Sequence, residues 1–189
     1  MTEQLNLVRA SSVAGLPVVT IDGGEDAAEI KDVVYDASTH HLVGFTLNKR
    51  GWFRGSMKAI LDAENVVGIG HDAVMVADES SLTERSAAGE ALASPKDDHD
   101  VMGNDVVSSS GSVIGTVVDV ILETGSDPQA VGYEVDTGSG SVFVPSSAQM
   151  GLSAQNLIVP PEAEEFTRDD LAGFGASVRS FRSKLGESS

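Results

Sequence analysis

Two aspartates stand at matching places in two similar stretches of this chain: Asp32 in "EIKDVVYD" and Asp119 in "VIGTVVDVIL". Paired carboxylates can share a proton or hold a cation, but either job needs the two groups to converge. Nothing in their spacing makes them do so. Each is therefore expected to bond backbone at a strand kink or to face solvent. The four histidines are His40, His41, His71 and His99. His40 and His41 precede a strand, where neighbouring side chains point to opposite faces, so joint metal ligation is strained. The run "DDHD", Asp97 to Asp100, offers oxygens to a hard cation, yet it lacks the spaced ligands and the glycine of a calcium loop. It reads as solvated charge. No G-x-S-x-G elbow with a histidine partner occurs, and no glycine-rich phosphate loop runs from a strand into a helix. No catalytic residue, metal or cofactor is expected, and the chain is read as a non-enzyme.

Binding chemistry is better represented. The stretch "NKRGWFRGSMK", Asn48 to Lys58, carries Lys49, Arg50, Arg54 and Lys58, together with Trp52 and Phe53. It holds four of the 12 Lys and Arg residues and the single Trp of a chain with net charge −17. Gly51 and Gly55 suit a turn. The four cations pair either with acidic segments of the same chain or with an acidic partner. Trp and Arg are the types enriched at interaction hot spots. A second candidate is the stripe Leu171, Phe174, Val178, Phe181 and Leu185, spaced 3, 4, 3, 4 as on one face of a helix. It packs on its own domain, docks on a partner or second copy, or brings Arg179, Arg182 and Lys184 to an anionic surface. Thr167 is the expected N-cap, with Asp169 and Asp170 near the positive end of the helix.

These residues need a frame to hold them. The 189 residues suit one domain or two small ones. With no Cys there is no disulfide scaffold and no thiolate metal site. A sequence pI near 4.3 opposes general nucleic-acid binding. "MTEQLNLVRASSV" lacks the basic-then-apolar pattern of a signal peptide, and no apolar run approaches the ~20 residues of a membrane span. The expectations are a cytoplasmic location, no membrane insertion and no direct nucleic-acid contact.

The frame is duplicated. "GLPVVTIDGGEDAAEIKDVVYDASTHHLVGFTL" aligns with "GNDVVSSSGSVIGTVVDVILETGSDPQAVGYEV". Gly15 falls on Gly103, Asp32-Val33 on Asp119-Val120, and Gly44-Phe45 on Gly132-Tyr133. "AILDAENVVGIGHDAVMV" aligns with "VFVPSSAQMGLSAQNLIV", so that Gly68 meets Gly151. The offset drops from 88 to 83, which places five extra residues of the first half in or beside the basic stretch. Val/Ile-rich runs and period-two segments such as "VGFTLN" and "VGYEVD" read as strands. "DGGEDA", "TGSDPQ" and "DTGSGS" read as turns. The fold class is mainly all-β: a small antiparallel barrel in each half, residues 1–77 and 101–161. An acidic linker, 78–100, joins them. It has seven acids and two bases, and Ser81 with Glu84 suggests a capping box for a short helix over Ser81 to Leu92. A C-terminal helix and tail fill 162–189.

Both halves resemble the PRC-barrel domain family. "EIKDVVYD" and "VIGTVVDVIL" are similar to its first long strand, "HLVGFTL" and "AVGYEV" to the next, and "GIGHDAVMV" to its closing strand. Half one has Glu29-Ile30-Lys31 where the family places Gly between Ile and Lys; half two keeps Gly115. The resemblance implies tandem barrels acting as an interaction or assembly module for a protein partner, with no common catalytic set. Two alternatives stand beside this reading. One is an accessory in ribosome maturation or RNA processing that binds a basic ribosomal protein. The other is a small-molecule or stress-linked binding protein. The assembly is expected to be a monomer with pseudo-two-fold barrels or a homodimer.

Overall fold

The structure is a computed structural model that describes residues 6–35, 42–50, 55–84, 101–125, 128–153 and 155–186. The chain begins with β1 (Leu7–Arg9) and a helical turn, α1 (Ala10–Val13). The first half then lays down β2 (Pro17–Thr20), β3 (Asp26–Tyr35), β4 (Leu42–Lys49), β5 (Gly55–Asp62), β6 (Val66–Ile69), β7 (Val74–Val76) and β8 (Leu82–Glu84). The second half forms β9 (Asp105–Ser108), β10 (Val113–Glu123), β11 (Gln129–Asp136), β12 (Ser141–Pro145), β13 (Gly151–Leu152) and β14 (Asn156–Val159). Two short helices close the chain, α2 (Ala163–Phe166) and α3 (Leu171–Leu185). The two sheets run β6-β7-β2-β3-β4-β5-β8 and β12-β11-β10-β9-β14-β13, and each curls into a half-barrel.

The duplication holds strand by strand. Val33 pairs with Phe45, and its counterpart Val120 pairs with Tyr133. Phe45 pairs with Leu61, and Tyr133 with Val144. A bulge sits at the same place in both long strands, between Ile30 and Asp32 and between Val117 and Asp119. The halves are not purely antiparallel as expected. β2 lies parallel to β7, and β9 parallel to β14. After β5 the chain crosses by a 3-10 turn, Ala63–Asn65, and by β6, so β7 meets β2 running the same way. The extra residues of half one lengthen the β4–β5 hairpin, whose ladder reaches Lys49 opposite Gly55 past a second bulge. In half two the ladder closes at Asp136 opposite Ser141 with a four-residue turn, where Thr137 N–H bonds Gly140 O at 3.0 Å.

Two boundaries move. The acidic linker is expected from residue 78, yet the first sheet continues to Glu84 because Leu82–Glu84 pairs with β5. The start of the expected Ser81–Leu92 helix is a 3-10 turn, Glu79–Ser81, followed by that strand. Asp78, rather than Ser81, caps the turn by accepting from Ser80 N–H at 2.8 Å. Residues 85–100 lie outside the described residues. Half two repeats this ending in reduced form, as a single bridge from Phe143 to Arg168 after α2. The C-terminal helix starts at Leu171, with Asp170 rather than Thr167 as its N-cap. Asp170 accepts from Gly173 N–H at 2.6 Å, while Thr167 Oγ1 turns back to Ala163 O at 3.0 Å. The helix stops at Gly186, which takes the left-handed conformation at φ 75°.

The halves share one core. Val18, Phe45, Leu47 and Val74 of the first half belong to the same buried cluster as Val106, Val120, Tyr133 and Leu157 of the second. The N-terminal segment crosses between them. β1 pairs antiparallel with β10, Leu7 opposite Glu123 and Arg9 opposite Ile121, and Val13 then enters the common core. On the outer side of the second sheet, Ile121, Val131 and Phe143 form a smaller cluster with Phe174 and Val178 of α3. Gly132 permits that approach: a Cβ there would lie 2.5 Å from both the Phe174 ring and Val144 O.

Candidate functional site

The two aspartates occupy equivalent bulges and have different surroundings. Asp119 is buried. Its Oδ1 accepts from Val120 N–H at 2.8 Å and from Ser11 N–H at 3.2 Å, and its Oδ2 accepts from the Ser11 hydroxyl. Asp32 is exposed. Its Oδ2 accepts from the Thr46 hydroxyl at 3.3 Å and lies 3.2 Å from Lys31 Nζ. The carboxylates belong to separate sheets, and each bonds its own surroundings.

Beside Asp119, Arg9 reaches over β10 to Glu134 on β11. Its Nε and Nη2 donate to the two carboxylate oxygens at 2.5 and 3.2 Å. The guanidinium also lies 5.4 Å from the centre of the Phe143 ring. The bond to Glu134 holds Arg9 in its charged form more firmly than usual. Arg9, Ser11 and Glu134 were not singled out from the sequence. The one available signal is that Arg9 is the sole cation before Lys31.

The basic hairpin is described at its base. Lys49 and Lys58 are exposed. Arg50 pairs at 2.8 Å with Asp26 at the start of β3, so one of the four cations is answered within its own half-barrel. Gly51, Trp52, Phe53 and Arg54 lie outside the described residues. On the C-terminal helix, Phe174, Val178 and Phe181 are buried and Leu171 is half-buried. Phe174 meets Phe143 at 5.6 Å between ring centres, and Phe181 meets Phe166 at 5.5 Å. The stripe is thus covered by this chain's own second half-barrel and α2. Lys184 pairs with Glu165 at 2.7 Å.

His71 is exposed and lies 2.9 Å from its neighbour Asp72. His40, His41, His99 and Asp97 to Asp100 lie outside the described residues. Among the described residues no three His, Asp or Glu side chains converge as a metal site. None of their helices is long and apolar enough to cross a membrane.

With the strand registers in view, comparison with known families gives two matches. The PRC-barrel domain model fits residues 5–82 and again 96–165. The chain belongs to the PRC-barrel family. The first match includes β1 and reaches into β8; the second runs from ahead of β9 into α2. No curated protein matches the chain. The PRC-barrel domain is a recognised interaction module, and here two copies of it share one core.

Proposed function

We propose that this chain is a non-enzymatic, cytoplasmic assembly module whose cationic hairpin binds an acidic surface of a protein partner. The observation that carries the reading is the pair Lys49 and Lys58, left exposed at the base of that hairpin on a chain of net charge −17. Elsewhere the surface field repels acidic partners, so local cations select where such a partner lands. The common core supports the reading too, because it packs the two half-barrels against each other. Trp52, Phe53 and Arg54 supply the aromatic and guanidinium contacts that dominate interfaces of this kind.

The test is crosslinking and recovery from native lysate with the parent chain, with Lys49→Glu/Lys58→Glu and with Trp52→Ala/Arg54→Ala. A partner recovered by the parent and lost by both double variants, with melting unchanged, supports the reading. Equal recovery by all three chains refutes it. Recovery dominated by basic ribosomal proteins, independent of the hairpin, would favour the ribosome-linked alternative, which the acidic surface also suits.

A further inference from the structure

Equivalent rows of residues cross the outward faces of the two sheets, and they end differently. In half two, Gly151 lies opposite Ile158, Ile158 opposite Val107, and Val107 opposite Val113. Four neighbouring strands, β13, β14, β9 and β10, thus place these residues in one line. Val106, Ser108, Leu157 and Val159 are buried on the inner side, so the alternation turns Val107 and Ile158 outward. In half one the same line reads Gly68, Met75, Val19 and Asp26. There the long β4–β5 hairpin closes the end of the row, because Arg50 pairs with Asp26 at 2.8 Å. In half two the β11–β12 turn is short, and Val113 stands where half one has Asp26. Val113 is 69% exposed and Ile158 37%.

The row is continuous and its border is acidic. Adjacent strands lie about 4.8 Å apart, so Ile158, Val107 and Val113 span about 10 Å. Single exposed apolar residues are ordinary on a surface, whereas three in register make a patch. Gly151 leaves the far end low, since it brings no side chain beside Ile158. Two residues along β9, about 7 Å away on the same face, stands Asp105, opposite Asn156 on one side and Thr116 on the other. Asp105 accepts from the Thr116 hydroxyl at 3.1 Å. Among the described residues it pairs with no cation. The four strands of the row carry Asp105, Asp119 and Glu123 and no Lys or Arg. Farther along this outward face, Ile121 and Phe143 are covered by Phe174 and Val178 of α3, a helix that also carries Arg179, Arg182 and Lys184.

We infer that the row Val113, Val107 and Ile158 docks an apolar segment of a partner protein flanked by Lys or Arg, with the cation reaching Asp105. Charge complementarity chooses this occupant. An acid-bordered row on a chain of net charge −17 attracts a basic segment and repels an acidic one, a second copy of this chain included. The covered part of the face supports the choice, because what lies there is an apolar stripe on a helix with three cations. The inference goes beyond the hairpin reading: it names a second surface, on the other repeat and with the opposite charge preference.

The probe is a pair of synthetic helical peptides with the same leucine face, one flanked by lysines and the other by glutamates, added to the full chain. Methyl-resolved NMR should show the lysine peptide shifting Val113, Val107 and Ile158, and the glutamate peptide shifting none of them. Val113→Ser should weaken the lysine peptide about tenfold, the scale of burying one valine side chain. Asp105→Asn should weaken it about twofold to fivefold, as for an exposed ion pair, and that difference should vanish at high salt. Val113 and Asp105 are both exposed, so the variants keep the fold. Lys49→Glu/Lys58→Glu should leave the shifts unchanged. The inference is overturned by shifts that spread over the acidic surface without singling out the row, or by no change up to about 1 mM peptide. Equal affinity for either variant at low salt overturns it too. Shifts of the same three methyls on concentrating the chain alone would assign the row to a second copy, against the inference. Hairpin-dependent partner recovery beside any of these results leaves the hairpin reading standing while the docking row falls.

Discussion

Asp119 and Asp32 offer an internal experiment, because one residue type at one repeat position meets two environments. Asp119→Ala removes the acceptor of two backbone N–H groups and one hydroxyl at a site only 6% exposed. Hydrogen bonds to a charged group contribute about 1.5–3 kcal/mol each. They are not additive, and removing the carboxylate also relieves its desolvation. A net loss of about 3 kcal/mol follows. Asp32→Ala removes one long hydrogen bond and an exposed ion pair, which together come to about 1 kcal/mol or less. For a chain of this size each kcal/mol moves the melting point by about 2–4 °C. Asp119→Ala should thus melt roughly 6–12 °C lower, and Asp32→Ala at most a few degrees lower. Urea melts followed by circular dichroism and by Trp fluorescence would check this, and coincident curves would show that the halves unfold together. Equal losses for the two variants would refute the argument that Ser11 and the β1 segment make Asp119 a structural acceptor.

Phe174→Ala should cost about 3–5 kcal/mol in urea melts, because the ring is fully buried against Phe143 and Gly132 and leaves a cavity. Gly132→Ala should destabilise by about 1–3 kcal/mol or more, since the new Cβ meets backbone at Val144 O and cannot move aside cheaply. The pairing with Phe174→Ala is diagnostic: in the double variant the Gly132 penalty should shrink but persist. Burial pushes the Tyr133 phenol well above its ordinary value of 10.0. The unfolded chain therefore loses this proton first. The stability tied to the neutral phenol is complete below about pH 10 and falls as pH rises from there. Tyr133→Phe should flatten that fall in melts taken across the alkaline range.

Much of the scaffold was legible because it is written twice. The offset between halves fixed which Gly, Val and Asp correspond, and the strand registers reproduce those correspondences at Val33 and Val120 and at Phe45 and Tyr133. Period-two alternation located the long strands. Other features had no local signal. "LVR" is too short to show a period, and its partner strand is remote in sequence, so β1 was read as a bare N-terminus. "LTE" lies in an acid-rich stretch and pairs only through contact with β5. Thr167 and Asp170 are both good capping types, and the choice falls to Asp170 because the Phe143–Arg168 bridge holds the chain extended just before it. The apolar stripe of α3 was legible as a face. What covers it depended on Gly132, which no pattern in the helix announces.

The crossing of β1 onto β10 has a consequence for biosynthesis. Arg9 is made 125 residues ahead of its partner Glu134. At about 5–20 residues per second, Leu7, Val8 and Arg9 wait roughly 6–25 seconds outside the ribosome before their berth exists. The first repeat therefore assembles before β1 has its partner strand, and the chain ties itself shut only when the second repeat has emerged.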